Sequence, residues 1–214
     1  MLNYLKERQE VCNITSNMSA AGLVVGSWGN ASTRLTEKEI LITPSALGYD
    51  NMKPSDLMIV DMKGRALQGK HKPSSELLLH LAVYESRSDV SAIVHTHSVY
   101  ATSLAVARRS LPPIVEDLIQ TVGGEVRVAP YGHPGSKELA FNCNSSLQER
   151  NAVLLANHGL VGVGKTLSEA LEVCLVVEKA AKIYLLAGLA GKPYILDEDT
   201  VSFLYKQFQD YKVQ

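Results

Sequence analysis

The sequence is poor in cysteine, in net charge and in uninterrupted apolar stretches, and each shortage removes a class of protein. Its 214 residues include three cysteines, Cys12, Cys143 and Cys174, odd in number and far apart. Neither a disulfide framework nor a CxxC metal motif can be drawn from them, so reduced thiols in a cytoplasmic protein are expected. The sequon Asn30-Ala31-Ser32 then carries no glycan. A net charge of −1 gives no electrostatic case for nucleic acid or an anionic membrane. Lys6, Glu7 and Arg8 follow Met1 where a secretory signal would have an apolar run, so no signal peptide is expected. The most apolar long stretch, residues 171–190, holds Glu172, Glu178, Lys179 and Lys182. Charges in mid-span are too costly for a membrane segment, and the stretch reads as a helix with a buried face. Repeats and low-complexity linkers are also missing. A hydrophobic share of 46% in 214 residues suits one globular domain, 1–214, and is too little chain for two ordinary ones.

What is present is a series of short strand patterns, some in hairpins, mixed with helix patterns. Tyr4, Val11, Ile14 and Met18 recur at helical spacing, and Gly22 stops that helix. Short strand patterns follow at 32–35, 40–43 and 57–61, the last turning through Lys63-Gly64 into 65–68 as a hairpin. Ser74 or Ser75 can cap a helix whose apolar stripe is Leu77, Leu81 and Tyr84. Strands are expected at 91–97, 126–129, 152–156 and 160–163, and helices at 99–107, 137–148, 167–189 and 198–211. Residues 114–122 fit either pattern. Hairpins mixed with intervening helices imply a mixed, largely antiparallel sheet covered by helices on both faces.

His95-Thr96-His97 closes the run at 91–97. Residues two apart in a strand share a face, so one rigid element would present both imidazoles to a common point. A third imidazole stands at the end of another apolar strand, in Asn157-His158-Gly159, where the glycine allows a sharp turn and leaves open space beside the ligand. Three imidazoles suit zinc, and three protein ligands leave room for substrate, the mark of a catalytic site. An isolated H-x-H pair is more often packed or on the surface; the third histidine is what shifts the balance.

Around these stand anion-binding candidates. In Lys72-Pro73-Ser74-Ser75-Glu76, Pro73 suits a helix start, where hydroxyls and free N–H groups gather and attract phosphate. Glu76 alone would read as a dipole-matching glutamate. Gly26-Ser27-Trp28-Gly29-Asn30 is a second anion loop, and Thr43-Pro44-Ser45 a weaker third. Gly159-Leu160-Val161-Gly162-Val163-Gly164-Lys165-Thr166 matches the nucleotide P-loop letter for letter. It is discounted, because too little chain follows to complete a parallel sheet and because Val161 and Val163 suit a strand better than a phosphate nest.

Taken together and in this order, the glycine loop at 26–30, Thr43-Pro44-Ser45, Ser74-Ser75-Glu76, His95-Thr96-His97 and Asn157-His158-Gly159 resemble the class II aldolase/adducin family over nearly the whole chain. The resemblance implies a three-layer α/β/α domain and a C4 homotetramer with active sites at subunit interfaces. It implies zinc, or another divalent metal, held by His95, His97 and His158, with Glu76 as a ligand that swings off to act as base. It assigns phosphate to Ser27, Gly29, Asn30, Ser45, Ser74 and Ser75. The implied reaction is cleavage of a ketose 1-phosphate, such as L-fuculose 1-phosphate or a related deoxy-pentulose or hexulose phosphate, to dihydroxyacetone phosphate and a small aldehyde. Related 4-epimerases carry aspartate at the position of Glu76, which favours an aldolase. An L-ribulose-5-phosphate 4-epimerase-like enzyme, a sugar-phosphate decarboxylase or dehydratase and a metal-free adducin-like interaction domain are the remaining alternatives. Aligned on Gly123-Gly124, Asp117 occupies the place of a family tyrosine that crosses the interface to protonate the aldehyde oxygen. A carboxylate needs a raised pKa for that task, and Tyr131, Tyr205 and Tyr211 are the other candidates. Ala46 stands where the family often has glycine.

Overall fold

The computed structural model describes residues 3–212. The elements run α1 (Leu5–Ala20), β1 (Asn30–Thr36), β2 (Glu39–Ile42), β3 (Met58–Asp61), β4 (Ala66–Gln68), α2 (Leu77–Ser86), β5 (Ala92–Thr96), α3 (Val99–Val106), α4 (Glu116–Val122), β6 (Val128–Ala129), α5 (Lys137–Leu147), β7 (Ala152–Leu155), β8 (Gly159–Gly164), α6 (Leu167–Ala190) and α7 (Glu198–Lys212). One eight-stranded sheet has the order β4-β3-β2-β1-β5-β8-β7-β6. Every neighbouring pair is antiparallel except β6 and β7. The mixed, largely antiparallel three-layer sheet expected from the sequence is the one observed.

Strand alternation divides the core between the two faces. Leu41, Ile59, Ala92, Val94 and Leu154 pack with α1, α3, α4 and α6. Their neighbours Ile40, Ile42, Met58, Val60, Ile93, Val153 and Val161 pack with α2 and α5. Cys174 lies on the first side and Cys143 on the second, both buried. No helix among the described residues is long and apolar enough to cross a membrane.

The structure resolves one ambiguous segment, corrects a second and bears out the strand reading of a third. The ambiguous stretch at 114–122 is α4 from Glu116, with Leu118, Ile119 and Val122 buried on one helical face and Gly123 ending it at φ 95°. Pro73 does not start α2. It forms an isolated bridge with Pro44, flanked by Ser45 N–H donating to the Lys72 carbonyl at 2.9 Å and Ser74 N–H to that of Thr43 at 3.0 Å. The helix therefore begins at Leu77, with Glu76 as its N-cap. The P-loop-like run is β8, paired antiparallel to β5 on one side and β7 on the other. Its backbone groups are committed to the sheet, which leaves no nest for phosphate.

Candidate metal centre and substrate cavity

Two imidazoles come from the end of β5. Ile93 faces the α2 and α5 layer, so His95, two residues on, faces the same way. His97 follows just beyond the strand. The third, His158, comes from the turn between β7 and β8. The left-handed residue of that turn is Asn157 at φ 55°, its side chain held by Arg108. Gly159, expected to make the sharp turn, instead begins β8. A side chain there would strike the Thr96 carbonyl oxygen and stand 3.2 Å from the rings of His95 and His97. Its glycine is required for close approach of the two strands.

The three rings meet edge to face, with centroids 4.8 Å apart for His95–His97, 4.8 Å for His95–His158 and 5.0 Å for His97–His158. Glu76 reaches them from the start of α2, its carboxylate 3.1 Å from His95 Nε2 and 3.3 Å from His158 Nε2. One ligand atom from each of Glu76, His95, His97 and His158 falls within 4.8 Å of all the others.

The chemistry of this donor set fits a cation. His95 Nδ1 lies 2.9 Å from the Leu160 carbonyl oxygen and must donate to it. In the neutral ring Nε2 is then a bare lone pair, facing His97 Nε2 at 2.9 Å and Glu76 Oε2 at 3.1 Å. Glu76 Oε1 is buried without a hydrogen-bond partner. Lone pairs that converge in this way call for positive charge at their centre, and an imidazole–carboxylate set suits zinc among divalent ions. Burial and the neighbouring His95 lower the pKa of His97 to about 3 and of His158 to about 4, keeping both in the neutral, ligating form. For His95, burial opposes charge, but the Glu76 carboxylate outweighs it and raises the pKa. Burial pushes Glu76 upward too, yet His95, His158 and Asn30 together hold it well below the usual carboxylate range.

A cavity of about 550 Å³ opens above this cluster, and its lining includes Ser27, Gly29, Asn30, Ser45, Ser74, Ser75, Glu76, His97 and His158. His95 is fully buried beneath. Three separate segments thus bring their hydroxyls to one place, two of them joined by the bridge between Pro44 and Pro73. Gly29 is fixed by contact: at φ 95°, a Cβ there would sit 2.7 Å from the His95 carbonyl oxygen. Tyr49, which the sequence did not single out, donates its hydroxyl to the Gly29 carbonyl at 2.5 Å. Val25, Trp28, Pro44, Ala46, Pro134 and Asn157 complete the wall. Trp28 is 66% exposed with its ring 6.0 Å from that of His97.

Asn30 is more committed than expected. Its Nδ2 donates to Glu76 Oε2 at 2.8 Å, and its Oδ1 accepts from His80 Nε2 at 2.5 Å. One amide hydrogen is left for a ligand. His80 is fully buried and was not anticipated; the available signal was a polar i, i+4 pair with Glu76 on a leucine-rich helix. Asp117 is not in this cavity. It lies on α4, lines a separate shallow concavity with Glu116 and Gln120, and pairs with Lys179 of α6. Tyr131 is exposed beside His133, and Tyr205 packs against Gly123. The side chain of Tyr211 lies outside the described residues.

The profile of the class II aldolase and adducin N-terminal domain matches residues 9–185. A 5-deoxy-D-ribulose 1-phosphate aldolase of Bacillus thuringiensis serovar kurstaki is 40% identical over 210 residues, 98% of each chain. An L-fuculose phosphate aldolase of Escherichia coli strain K12 is 32% identical over 207 residues, 96% of this chain and 95% of the relative. A solved L-fuculose 1-phosphate aldolase superposes with a TM-score of 0.94 at 36% identity, covering 98% of each chain.

Proposed function

The chain belongs to the class II aldolase and adducin family, and from that premise we propose that it is a zinc-dependent aldolase cleaving a ketose 1-phosphate to dihydroxyacetone phosphate and a small aldehyde. The observation that carries this is the buried Glu76 carboxylate among three imidazoles at the floor of a hydroxyl-lined cavity. His95, His97 and His158 would hold the metal, with Glu76 as the fourth ligand. A divalent ion there supplies Lewis-acid stabilisation of negative charge on the substrate's oxygens. The remaining work falls to the chain's own groups. Ser27, Ser45, Ser74, Ser75, the Gly29 segment and the spare Asn30 amide hydrogen bind the phosphate, which fixes the register of the carbon chain. Glu76 then moves the proton at C3 of the triose phosphate.

Identity of 40% to a 5-deoxyribulose-phosphate aldolase against 32% to a fuculose-phosphate aldolase favours a 5-deoxypentulose 1-phosphate as substrate. The apolar side chains of Val25 and Trp28 at the cavity wall support a substrate with an apolar end. Organisation as a single domain 1–214, from the chain's length and lack of linkers, a cytoplasmic location, from its cysteine usage, and a homotetramer with shared sites, from the family resemblance, belong to the same proposal. A role for Asp117 requires a second copy of the chain and stands or falls with the tetramer.

Purified zinc-loaded protein offered a panel of ketose 1-phosphates should release dihydroxyacetone phosphate fastest from the 5-deoxypentulose. Epimerisation of ribulose 5-phosphate with no triose release would overturn the aldolase reading. Glu76→Gln should retain one zinc per chain and slow deuterium exchange into dihydroxyacetone phosphate by roughly 10²–10⁴-fold. Unchanged exchange would remove Glu76 from the role of base.

A further inference from the structure

Behind the cavity runs a buried row of polar side chains, of which the proposed reaction uses only Glu76 and Asn30 directly. Asn30 and Ser32 lie two apart on β1, while Glu76, His80 and Tyr84 lie four apart along α2 and its N-cap. Two strand residues advance about 6.6 Å and four helix residues about 6 Å, so the two series keep step where α2 crosses the sheet. The contacts are Tyr84 Oη to Ser32 Oγ at 2.8 Å, Ser32 Oγ to His80 Nδ1 at 2.6 Å, His80 Nε2 to Asn30 Oδ1 at 2.5 Å and Asn30 Nδ2 to Glu76 Oε2 at 2.8 Å. Asn30 and Glu76 are almost fully buried and Ser32, His80 and Tyr84 nearly or wholly so, with no solvent to substitute for a lost partner.

The direction of every bond follows from one end. Asn30 donates its NH₂ to Glu76 Oε2 and so turns its oxygen toward His80. His80 must then carry its proton on Nε2 and donate. Nδ1 of the neutral ring is left as an acceptor and takes the Ser32 hydroxyl proton, and the Ser32 oxygen in turn takes that of Tyr84. Burial lowers the His80 pKa to about 3, which agrees with a neutral ring. The reverse order would put the Asn30 oxygen against the carboxylate, acceptor to acceptor. Four donors in series therefore point at Glu76, and Tyr84 is itself anchored where the Arg34 guanidinium sits 4.8 Å over its ring and donates to its carbonyl at 2.8 Å.

We propose that His80 is a positioning residue: through Asn30, and locked by Ser32 and Tyr84, it holds the Glu76 carboxylate in one orientation, with Oε1 left for the metal and the substrate proton. The inference rests on the aldolase reading for its kinetic consequence but not for its hydrogen-bond direction. His80→Leu removes the donor and frees Asn30 to flip. His80→Gln keeps a terminal amide donor at about the place of Nε2.

The test uses the full-length protein and begins with ring ¹⁵N spectra of the parent, without substrate. They should show His80 protonated at Nε2 and bare at Nδ1; the opposite tautomer or a charged ring overturns the proposal. Competition with a zinc chelator should show one zinc per chain in both variants, with affinity weakened about tenfold or more in His80→Leu and restored to within about threefold of the parent in His80→Gln. Deuterium exchange into dihydroxyacetone phosphate should follow the same split, falling in kcat by at least about tenfold with KM nearly unchanged. Parent-like zinc affinity in a folded His80→Leu protein, or equal losses in both variants, would remove the positioning role. A parent that shows the expected tautomer and zinc split but exchanges no proton supports the network and refutes only the aldolase reading.

Discussion

Glu76 and Asp117 are both carboxylates placed in the catalytic set by resemblance, and the fold treats them in opposite ways. Glu76 is buried at the helix start, faces two imidazoles and an amide donor, and has one oxygen with no hydrogen-bond partner. Asp117 is 38% exposed on a short helix and pairs with Lys179. A buried acceptor left without a donor costs about 1–3 kcal/mol, and a charged one more, so such a group persists where something else completes it. An exposed ion pair contributes about 0–1 kcal/mol and needs nothing further. The contrast teaches that a residue's chemical potential lies in what its surroundings leave unsatisfied. Asp56 is the third case, since it is buried, as Glu76 is, yet fully partnered. It accepts from Lys53 N–H at 2.9 Å and pairs with Lys70 at 3.0 Å and His71 at 3.2 Å.

The contrast can be broken hardest at the cluster. His95→Ala should abolish stoichiometric zinc and slow cleavage on the order of a thousandfold, about 4 kcal/mol in barrier. Metal analysis and triose release measure both, and full zinc occupancy in the variant would count against the ligand set.

Asp56 should show its effect in stability instead. The Lys53 backbone donor, opposed by burial and aided by Lys70 and His71, lowers its pKa from 3.8 to about 2. A depressed carboxylate pKa stabilises the fold above the unfolded value, and that stability is lost as pH falls through the folded one. Asp56→Asn should be about 2 kcal/mol less stable than the parent at pH 6, with the gap closing between about pH 4 and pH 2. A gap that stays constant over that range in urea titrations would mean the ion pairs contribute nothing.

Asp117→Asn is the sharper probe of the comparison. Should subunits share their sites, as proposed, cleavage falls about tenfold, near 1.4 kcal/mol, with zinc retained. A rate indistinguishable from the parent at concentrations where the oligomer is intact confines the site to residues of one chain.

The smallest change is expected at Ala46, which lines the cavity at φ 59°, a left-handed conformation costly for any residue with a Cβ. Ala46→Gly relieves that strain but adds unfolded-state entropy, so a net gain of up to about 1 kcal/mol is expected by thermal unfolding. A loss of stability would show that the methyl packs productively.

Much of the fold was legible because its signals are local. Period-two runs gave the strands, and helical spacing gave α1, α2, α5 and α6 to within a few residues. The start of α2 was misjudged because Pro73 is consumed by a bridge to Pro44, nearly thirty residues away, which no local pattern encodes. Within the site, the pairing of His95 with His97 could be read from strand geometry alone. The pairing of Asn30 with Glu76 and His80 could not, since it depends on β1 lying beside β5 and beneath α2.

The sequence by itself determined which residue types are available and how neighbours are spaced: two imidazoles on one strand face, a third at a strand end, hydroxyls in three turns, a glutamate opening a helix. Only the tertiary structure decided that the glutamate and the three imidazoles bring ligand atoms within 4.8 Å of one another, that Gly159 serves strand contact and not a turn, and that Asp117 stands elsewhere. Spacing along a chain is set by short-range backbone geometry. Convergence of segments from Asn30 to His158 is set by strand order and helix crossing, through which burial decides which polar groups find partners and which must wait for one.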